Sequence, residues 1–230
     1  MGIWREIRND FAIIAQKDPA MCSRIELFFN YPGLVALVHY RFAHALYTRG
    51  WCMFARMIMG LTQFITNIDI HPAAQIGSSV FIDHGIGVVI GETAIVGDYV
   101  TIYQGVSLGG VSLEKTKRHP TICDGVVIGA GAKILGNITI GQNAKIGANS
   151  VVICSVPENS TAVGIPAKIL NKENKHPYDM GKIPDISKEL FIFLLQRVQN
   201  IETSLKNEAL QQQNEELEKL YESFLKSLQE

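Results

Sequence analysis

The sequence predicts a mainly β protein with helical ends, built around a parallel β-helix. Three observations predict this fold class. An aliphatic residue recurs every six positions through the middle of the chain, and apolar residues recur at helical spacing before it. A polar linker then leads to a second stretch of helical periodicity. A six-residue period matches neither the 3.6-residue period of a helix nor the two-residue alternation of a strand.

Residues 1–66 are predicted to form an N-terminal helical region. The stretch 31–50, YPGLVALVHYRFAHALYTRG, has apolar residues at helical spacing, with Pro32 near its start and Gly50 after its end. Proline is common in the first turn of a helix, and glycine is common directly after the last turn. We therefore expect a helix here and another in the apolar segment that follows.

The repeat occupies residues 67–170. Its thirteen aliphatic positions, with one two-residue shift near Val88, are Ile70, Ile76, Ile82, Ile90, Val96, Ile102, Leu108, Ile122, Ile128, Ile134, Ile140, Ile146 and Val152. If three hexapeptides make one triangular coil, the repeat makes roughly four coils and is about 20 Å tall at the strand spacing of a sheet. Because aliphatic residues then fill the interior, we expect an active site on an outer face or between subunits.

Two other segments differ from the repeat. The polar stretch 109–121, GGVSLEKTKRHPT, interrupts it once, and loops that leave a regular scaffold often carry function. Residues 171–185 are a polar, proline-containing linker, and residues 186–230 carry a heptad-like apolar stripe from Phe191 to Phe224. The stripe predicts a C-terminal amphipathic helix, either in a coiled coil or packed on its own chain.

Composition limits the possible functions. The 230 residues carry 21 Lys and Arg against 22 Asp and Glu, so no basic field favours a nucleic acid as partner. No apolar span is long enough to cross a membrane, and the amino terminus lacks the features of a signal peptide. The four cysteines have no CxxC spacing, which favours buried thiols over a zinc site or disulfides. We expect a cytoplasmic protein without a metal cofactor.

Four polar residues in or beside the repeat are candidates for chemistry. Asp69 precedes His84 by fifteen residues, about one coil, so we expect its carboxylate near the imidazole. A carboxylate that accepts from one ring nitrogen fixes the tautomer and leaves the other nitrogen as a general base. Arg118 and His119 lie in the interrupting loop, where a guanidinium can hold a small carboxylate through two hydrogen bonds.

Six motifs together resemble the serine O-acetyltransferases of the hexapeptide-repeat acyltransferase superfamily: DIHPAAQIG, IDHGIGVVIGETA, VSLGG, KRHPTI, VIGAGAKILGNITIG and VGIPAK. The resemblance extends from Asp18 to Leu170. It implies a left-handed β-helix in which acetyl-CoA donates an acetyl group to L-serine, giving O-acetyl-L-serine in the first step of cysteine biosynthesis. It also implies a homo-oligomer, which we expect to be a trimer, and feedback inhibition by L-cysteine.

The resemblance also implies roles for individual residues. His84 corresponds to the general base, Asp69 to the residue that orients it, and His119 to a further catalytic residue. The serine site corresponds to Asp18, Asp83, Arg118 and His119. Acetyl-CoA is expected in a groove between neighbouring prisms, at Gly110, Ala130, Lys145, Ala148, Thr161 and Lys168.

Partners of the long family members are not all expected here. Long members use an extended helical region to join two trimers, and the shorter region of this chain favours a single trimer. Long members also insert a terminal isoleucine into a sulfhydrylase, the next enzyme of the pathway. This chain ends in KSLQE, so the sequence does not predict that complex.

Three other interpretations are open at the level of sequence. A hexapeptide acyltransferase for a sugar or another small hydroxyl would keep His84 but has little use for the Arg118–His119 pair. A zinc carbonic anhydrase on the same fold would use His71, His84 and His119 as ligands, although the close histidine pair expected near the loop is missing. A scaffold that only displays the C-terminal helix would leave these polar residues unexplained.

Overall fold

The structure is a computed structural model that describes residues 2–17, 23, 26–27 and 29–170. Its helices are α1 (Ile3–Lys17), α2 (Pro32–Tyr47) and α3 (Cys52–Thr66). The predicted linker at 171–185 and the predicted helix at 186–230 lie outside the described residues, so both stay predictions.

Helix α2 has the boundaries that the sequence indicates. Pro32 lies in the first turn, where its missing N–H leaves no helical hydrogen bond unmade. Gly50, shortly after the last turn, has a φ of +88°, a conformation that glycine adopts without strain. The buried face of α2 packs against α3 and against the first coil of the repeat.

A buried ion pair attaches α1 and α2 to the repeat. Arg41 donates to both carboxylate oxygens of Asp10 and to the main-chain carbonyls of Ile76 and Gly77. Both charged side chains are almost inaccessible to solvent. The guanidinium fork matches a carboxylate and leaves further donors for carbonyls. Polar contacts therefore help to hold the helices on the prism.

Fifteen short strands follow in the described part of the chain, and the first thirteen carry the hexapeptide repeat. They are β1 (Asp69–Ile70), β2 (Gln75–Ile76), β3 (Phe81–Ile82), β4 (Val89–Ile90), β5 (Ile95–Val96), β6 (Thr101–Ile102), β7 (Ser107–Gly109), β8 (Thr121–Ile122), β9 (Val127–Ile128), β10 (Lys133–Leu135), β11 (Thr139–Ile140), β12 (Lys145–Ile146) and β13 (Val151–Val152). Strands β14 (Thr161–Gly164) and β15 (Ala167–Leu170) form an antiparallel hairpin. Each predicted aliphatic position lies in one strand of the repeat.

Strands three apart in sequence pair in parallel and form the three walls of a prism. Sheet A has the order β1-β4-β7-β10-β13, sheet B the order β11-β8-β5-β2, and sheet C the order β15-β14-β12-β9-β6-β3. Each coil therefore visits sheets A, B and C in turn. Paired residues of regular coils are 18 positions apart, as for Val89 and Ser107. The predicted β-helix is confirmed.

Aliphatic side chains fill the interior of the prism. The thirteen repeat positions are all between 0% and 8% exposed. Full burial of such a side chain is worth about 1.5–3 kcal/mol, which makes this interior the main source of stability. An interior packed in this way leaves the corners and outer faces for chemistry.

Two edges of the prism carry most of the candidate site residues. The C–A edge consists of the corners from sheet C to sheet A, at residues 83–88, 103–106, 129–132 and 147–150. The A–B edge consists of the corners from sheet A to sheet B, at residues 71–74, 91–94, 110–120 and 136–138. The polar stretch that interrupts the repeat forms the longest of these A–B corners, and its residues 111–116 are exposed as expected.

The predicted burial of the cysteines is wrong for the three that are described. Cys52 and Cys154 are exposed, Cys123 is half-buried, and all three are free thiols. Cys52 begins α3, while Cys123 and Cys154 follow the inward-pointing residues of their strands and so lie outside the core. Among the described helices, none is long and apolar enough to span a membrane.

Candidate active site

His84 lies at the C–A edge, in the corner between β3 and β4. Its φ is +57°, in the left-handed region that histidine enters more readily than most residues with a side chain. The following Gly85 also has a positive φ, of +75°. The imidazole is 72% exposed. The same left-handed conformation occurs at other described corners, such as Tyr99 with a φ of +58°, so it belongs to the turns of the prism and does not by itself mark a site.

Two carboxylates lie near this corner. Oδ1 of Asp83 is 3.8 Å from Nε2 of His84, which is longer than a hydrogen bond. Asp69 begins β1 and pairs in register with Val89, close to the end of the corner that holds His84. Within the described ranges, neither carboxylate forms a hydrogen bond with the ring. Within the single chain, the predicted contact between Asp69 and His84 therefore does not form.

A polar pocket of about 420 Å³ lies at the A–B edge, between the prism and α3. Its ionisable lining residues are Arg56, Asp69, His71, Glu92, Arg118 and His119. Three of the four polar candidates, Asp69, Arg118 and His119, therefore line one pocket, together with His71 of the zinc hypothesis. His84 and Asp83 do not line it, because they belong to the other edge.

Arg118 is held at this pocket by an ion pair that the sequence did not suggest. Its Nη2 lies 2.5 Å from Oε2 of Glu92, and its Nη1 donates to the carbonyl of Glu114 at 3.1 Å. The hydrogen bond from Arg118 holds the pKa of Glu92 below its usual range, so the carboxylate is charged at neutral pH. Glu92 belongs to the IGET motif, one coil before the loop. This position in the repeat is the feature of the sequence that could have indicated its contact with the loop.

His119 is buried, with 8% of its surface exposed. Its ring packs over Gly91, where a Cβ atom would come within 2.0 Å of Cδ2, so only glycine fits there. Burial lowers the pKa of His119, and the neighbouring Arg118 and Lys117 cations lower it further. The imidazole is therefore neutral at neutral pH.

Lys117 fixes the base of the loop. Its ammonium donates to the carbonyls of Thr93, His119 and Pro120, at 2.7, 2.6 and 3.2 Å. Three carbonyl acceptors satisfy all three donors of an ammonium group. Arg118 and His119 are thus anchored to the coil beneath, although the loop before them is exposed. Neither Lys117 nor Thr93 is among the residues predicted from the sequence.

His71 enters the same pocket from the first A–B corner. Its Nδ1 accepts from the main-chain N–H of Ala73 at 3.1 Å. Burial lowers its pKa, and the cation of Arg56 adds to this effect. In the part of the chain that the structure describes, no group of three metal-binding side chains occurs. Within a single chain, the three histidines of the zinc hypothesis do not converge, since His84 lies at the other edge.

Two candidate coenzyme residues stack along the C–A edge. Ala130 and Ala148 occupy successive corners, and the N–H of Asn149 donates to the carbonyl of Ala130 at 2.8 Å. Both alanines are at least partly exposed. This edge is also the one that holds His84, with the corner that contains Tyr103 and Gln104 lying between the imidazole and Ala130.

The other candidate coenzyme residues divide between two places. Lys145 and Thr161 are paired in register on sheet C, and Lys168 lies in the adjoining hairpin opposite Val163. Gly110 instead begins the loop at the A–B edge, where a Cβ would meet the Arg118 side chain at 3.1 Å. Asp18 lies outside the described residues.

Known proteins resemble this chain in fold and, along most of its length, in sequence. A family model described as bacterial transferase hexapeptide (six repeats) matches residues 119–154. A serine acetyltransferase from Synechococcus elongatus is 46% identical over 205 residues, which cover 88% of this chain and 84% of that protein. The chain belongs to the serine acetyltransferase family.

Solved structures of serine acetyltransferases agree with the assignment. A soybean serine acetyltransferase complexed with serine is 43% identical with a TM-score of 0.71, covering 73% of this chain and 69% of that one. A serine acetyltransferase in complex with cysteine is 42% identical with a TM-score of 0.72, covering 74% of this chain and 70% of that one. These relatives favour the serine acetyltransferase prediction over the sugar acyltransferase, the zinc enzyme and the scaffold.

Proposed function

We propose that this chain transfers the acetyl group of acetyl-CoA to the hydroxyl of L-serine. The products are O-acetyl-L-serine and CoA, and the reaction is the first step of cysteine biosynthesis from serine. The observation that carries this proposal is the 46% identity to a serine acetyltransferase over 88% of the chain. The soybean relative complexed with serine supports serine as the acceptor.

His84 acts as the general base in this proposal. It takes the hydroxyl proton while the serine oxygen attacks the thioester carbonyl directly. The new ester C–O bond forms and the C–S bond breaks, and the imidazolium returns its proton to the departing thiolate of CoA. The exposed position of His84 suits two substrates that arrive from solvent. Asp69 orients the ring once both substrates are bound.

The serine site combines charges of both signs. Arg118 binds the substrate carboxylate, since its guanidinium fork lies in the A–B pocket beside His119. Asp83 and Asp18 bind the amino group, and His119 contacts the hydroxyl region. Acetyl-CoA lies along the C–A edge and sheet C, where Ala130 and Ala148 leave room for pantetheine. Lys145, Thr161 and Lys168 complete its site on the same chain, and Gly110, at the A–B edge, would be supplied by the neighbouring chain.

We infer a homotrimer in which each active site is shared. His84 and the Arg118–His119 pair lie at different edges of one prism. Threefold packing brings the C–A edge of one chain to the A–B edge of the next, so neighbours complete three equivalent sites. The predicted C-terminal helix would strengthen the trimer if it forms a coiled coil about the same axis.

L-Cysteine is expected to inhibit competitively with serine. It has the same amino and carboxylate groups, so the same side chains bind it. The relative in complex with cysteine supports this inference. We also infer a cytoplasmic location, since the described cysteines are free thiols, as is usual in a reducing compartment.

An acceptor panel tests the proposed function. Release of free thiol from acetyl-CoA is followed with serine, homoserine, a galactoside and no acceptor, for the wild type and His84→Ala. We expect serine to be preferred and the variant to lose at least about 100-fold in kcat, the scale of a general base.

The matched control is Tyr99→Ala, an exposed corner residue with a φ of +58° at the third edge of the prism. It should keep its activity. Preference for the galactoside, or near-normal turnover by His84→Ala, would refute the assignment.

A further inference from the structure

Thr93 connects the corner after β4 to the loop that carries the arginine and histidine of the pocket. Its hydroxyl oxygen lies 3.1 Å from the main-chain N of Arg118 and 3.1 Å from the main-chain N of His119. The same oxygen is 2.9 Å from Nδ1 of His119. The main-chain N–H of Thr93 also donates to this Nδ1, at 3.2 Å.

These contacts determine the direction of each hydrogen bond. A hydroxyl has one donor and two acceptor sites. Both acceptor sites of Thr93 are used by the two main-chain N–H groups, so its hydrogen must point to Nδ1 of His119. Nδ1 then faces two donors, the hydroxyl and the main-chain N–H of Thr93. A ring nitrogen in this position accepts and carries no proton.

We propose that Thr93 is a positioning residue that keeps neutral His119 in the tautomer with its proton on Nε2. His119 is then a hydrogen-bond donor toward the pocket and not a second general base. Within the described chain, Nε2 has no hydrogen-bond partner, and no unpartnered side-chain nitrogen or oxygen is sealed from solvent. The free Nε2–H therefore points to accessible space.

The donor tautomer has a consequence for the reaction, and this step rests on the proposed function. A donor at Nε2 hydrogen-bonds a lone pair of the serine hydroxyl, so the hydroxyl proton is directed to His84. The opposite tautomer would place an acceptor there and would compete with His84 for that proton. Burial also lowers the pKa of His119, which keeps the ring neutral.

The test uses the full-length protein with ¹⁵N-labelled histidine. The two ring nitrogens of a neutral imidazole have very different ¹⁵N chemical shifts, depending on which one is protonated, and loss of a signal in His119→Gln assigns the residue. We expect protonated Nε2 and bare Nδ1 in the wild type and in Thr93→Ser. Thr93→Val lacks the hydroxyl but keeps the main-chain N–H that donates to Nδ1, so it should show a larger share of the Nδ1-protonated tautomer than the wild type.

Kinetics provide the second measurement. Thr93→Val should lose about ten-fold in kcat, the scale of one hydrogen bond, and Thr93→Ser should recover most of it. Thr139→Val is the matched control, because this threonine is the exposed residue of strand β11 in sheet B, and it should change neither measurement.

Two results would overturn the proposal: a protonated Nδ1 in the wild type, or an unchanged tautomer and kcat in Thr93→Val. The spectrum needs no substrate. A wild type with the expected tautomer that does not acetylate serine would therefore refute the proposed function and leave the role of Thr93 intact.

Discussion

At the scale of single residues, the Arg118–Glu92 pair fixes the guanidinium that we propose binds the substrate carboxylate. Nη2 of Arg118 donates a hydrogen bond to the carboxylate of Glu92, and Nη1 donates one to the loop carbonyl of Glu114. The guanidinium is thus held in one orientation before any substrate arrives. Side chains restrained in this way bind with a smaller loss of conformational entropy.

Arg118→Lys tests this arrangement. Lysine keeps the charge but loses the planar fork, so it cannot bind a substrate carboxylate through two parallel hydrogen bonds while it also holds Glu92. We expect the KM for serine to rise by about ten-fold to one hundred-fold, the scale of a hydrogen bond to a charged group. The KM for acetyl-CoA should change little in the same steady-state measurements.

Arg49→Lys, at an exposed arginine after α2, is the control and should leave both constants unchanged. Equal increases in both constants for Arg118→Lys would assign the arginine to the coenzyme or to the fold.

At the scale of elements, the prism depends on stacking. Most strands of the repeat contain only two residues, and strands of that length have no stability of their own. Each is held by the strands above and below it and by its inward side chain. β9, for example, pairs with both β6 and β12. A defect in the interior therefore weakens several coils.

Ile128→Ala measures this dependence. Ile128 is fully buried in β9, and truncation of a buried isoleucine to alanine costs about 2–5 kcal/mol. We expect a clearly lower midpoint of urea unfolding, followed by circular dichroism. Ile153→Ala, at a residue that is 54% exposed just after β13, should shift the free energy by no more than about 0.5 kcal/mol. Equal shifts for the two variants would contradict a stability based on the aliphatic interior.

At the scale of the whole molecule, the proposed site is distributed over two edges, and the proposed trimer would bring these edges together. One chain presents His84 at its C–A edge and Arg118 at its A–B edge. If neighbouring chains complete each site, a subunit that lacks one residue can be rescued by a subunit that lacks the other.

Mixing His84→Ala with Arg118→Ala tests that expectation. Each variant alone should be nearly inactive, because every site lacks one group. Co-expression should restore about one quarter of the wild-type activity when subunits mix at random, since one site in four then has both groups intact. Activity of the co-purified oligomer is the measurement, and a mixture of separately assembled variants is the control. Absence of recovery in proven hetero-oligomers would mean that both residues act within one chain.

The sequence by itself determined the β-helix and most of the candidate residues. The reason is physical: a six-residue period is compatible with few folds, so Ile70 to Val152 define the coils without any knowledge of contacts. The motifs that contain His84, Arg118 and His119 are local in the chain, and family resemblance identifies them directly.

Only the tertiary structure decided which of these residues meet. Glu92 and Thr93 contact the Arg118–His119 pair because successive coils bring together residues about 26 positions apart, and the length of the loop hides that spacing in the sequence. The separation of His84 from that pair likewise follows from the order of the sheets. The direction of the hydrogen bonds at His119 also depends on tertiary structure. The proposed tautomer requires two donors beside Nδ1, and only folding brings them there.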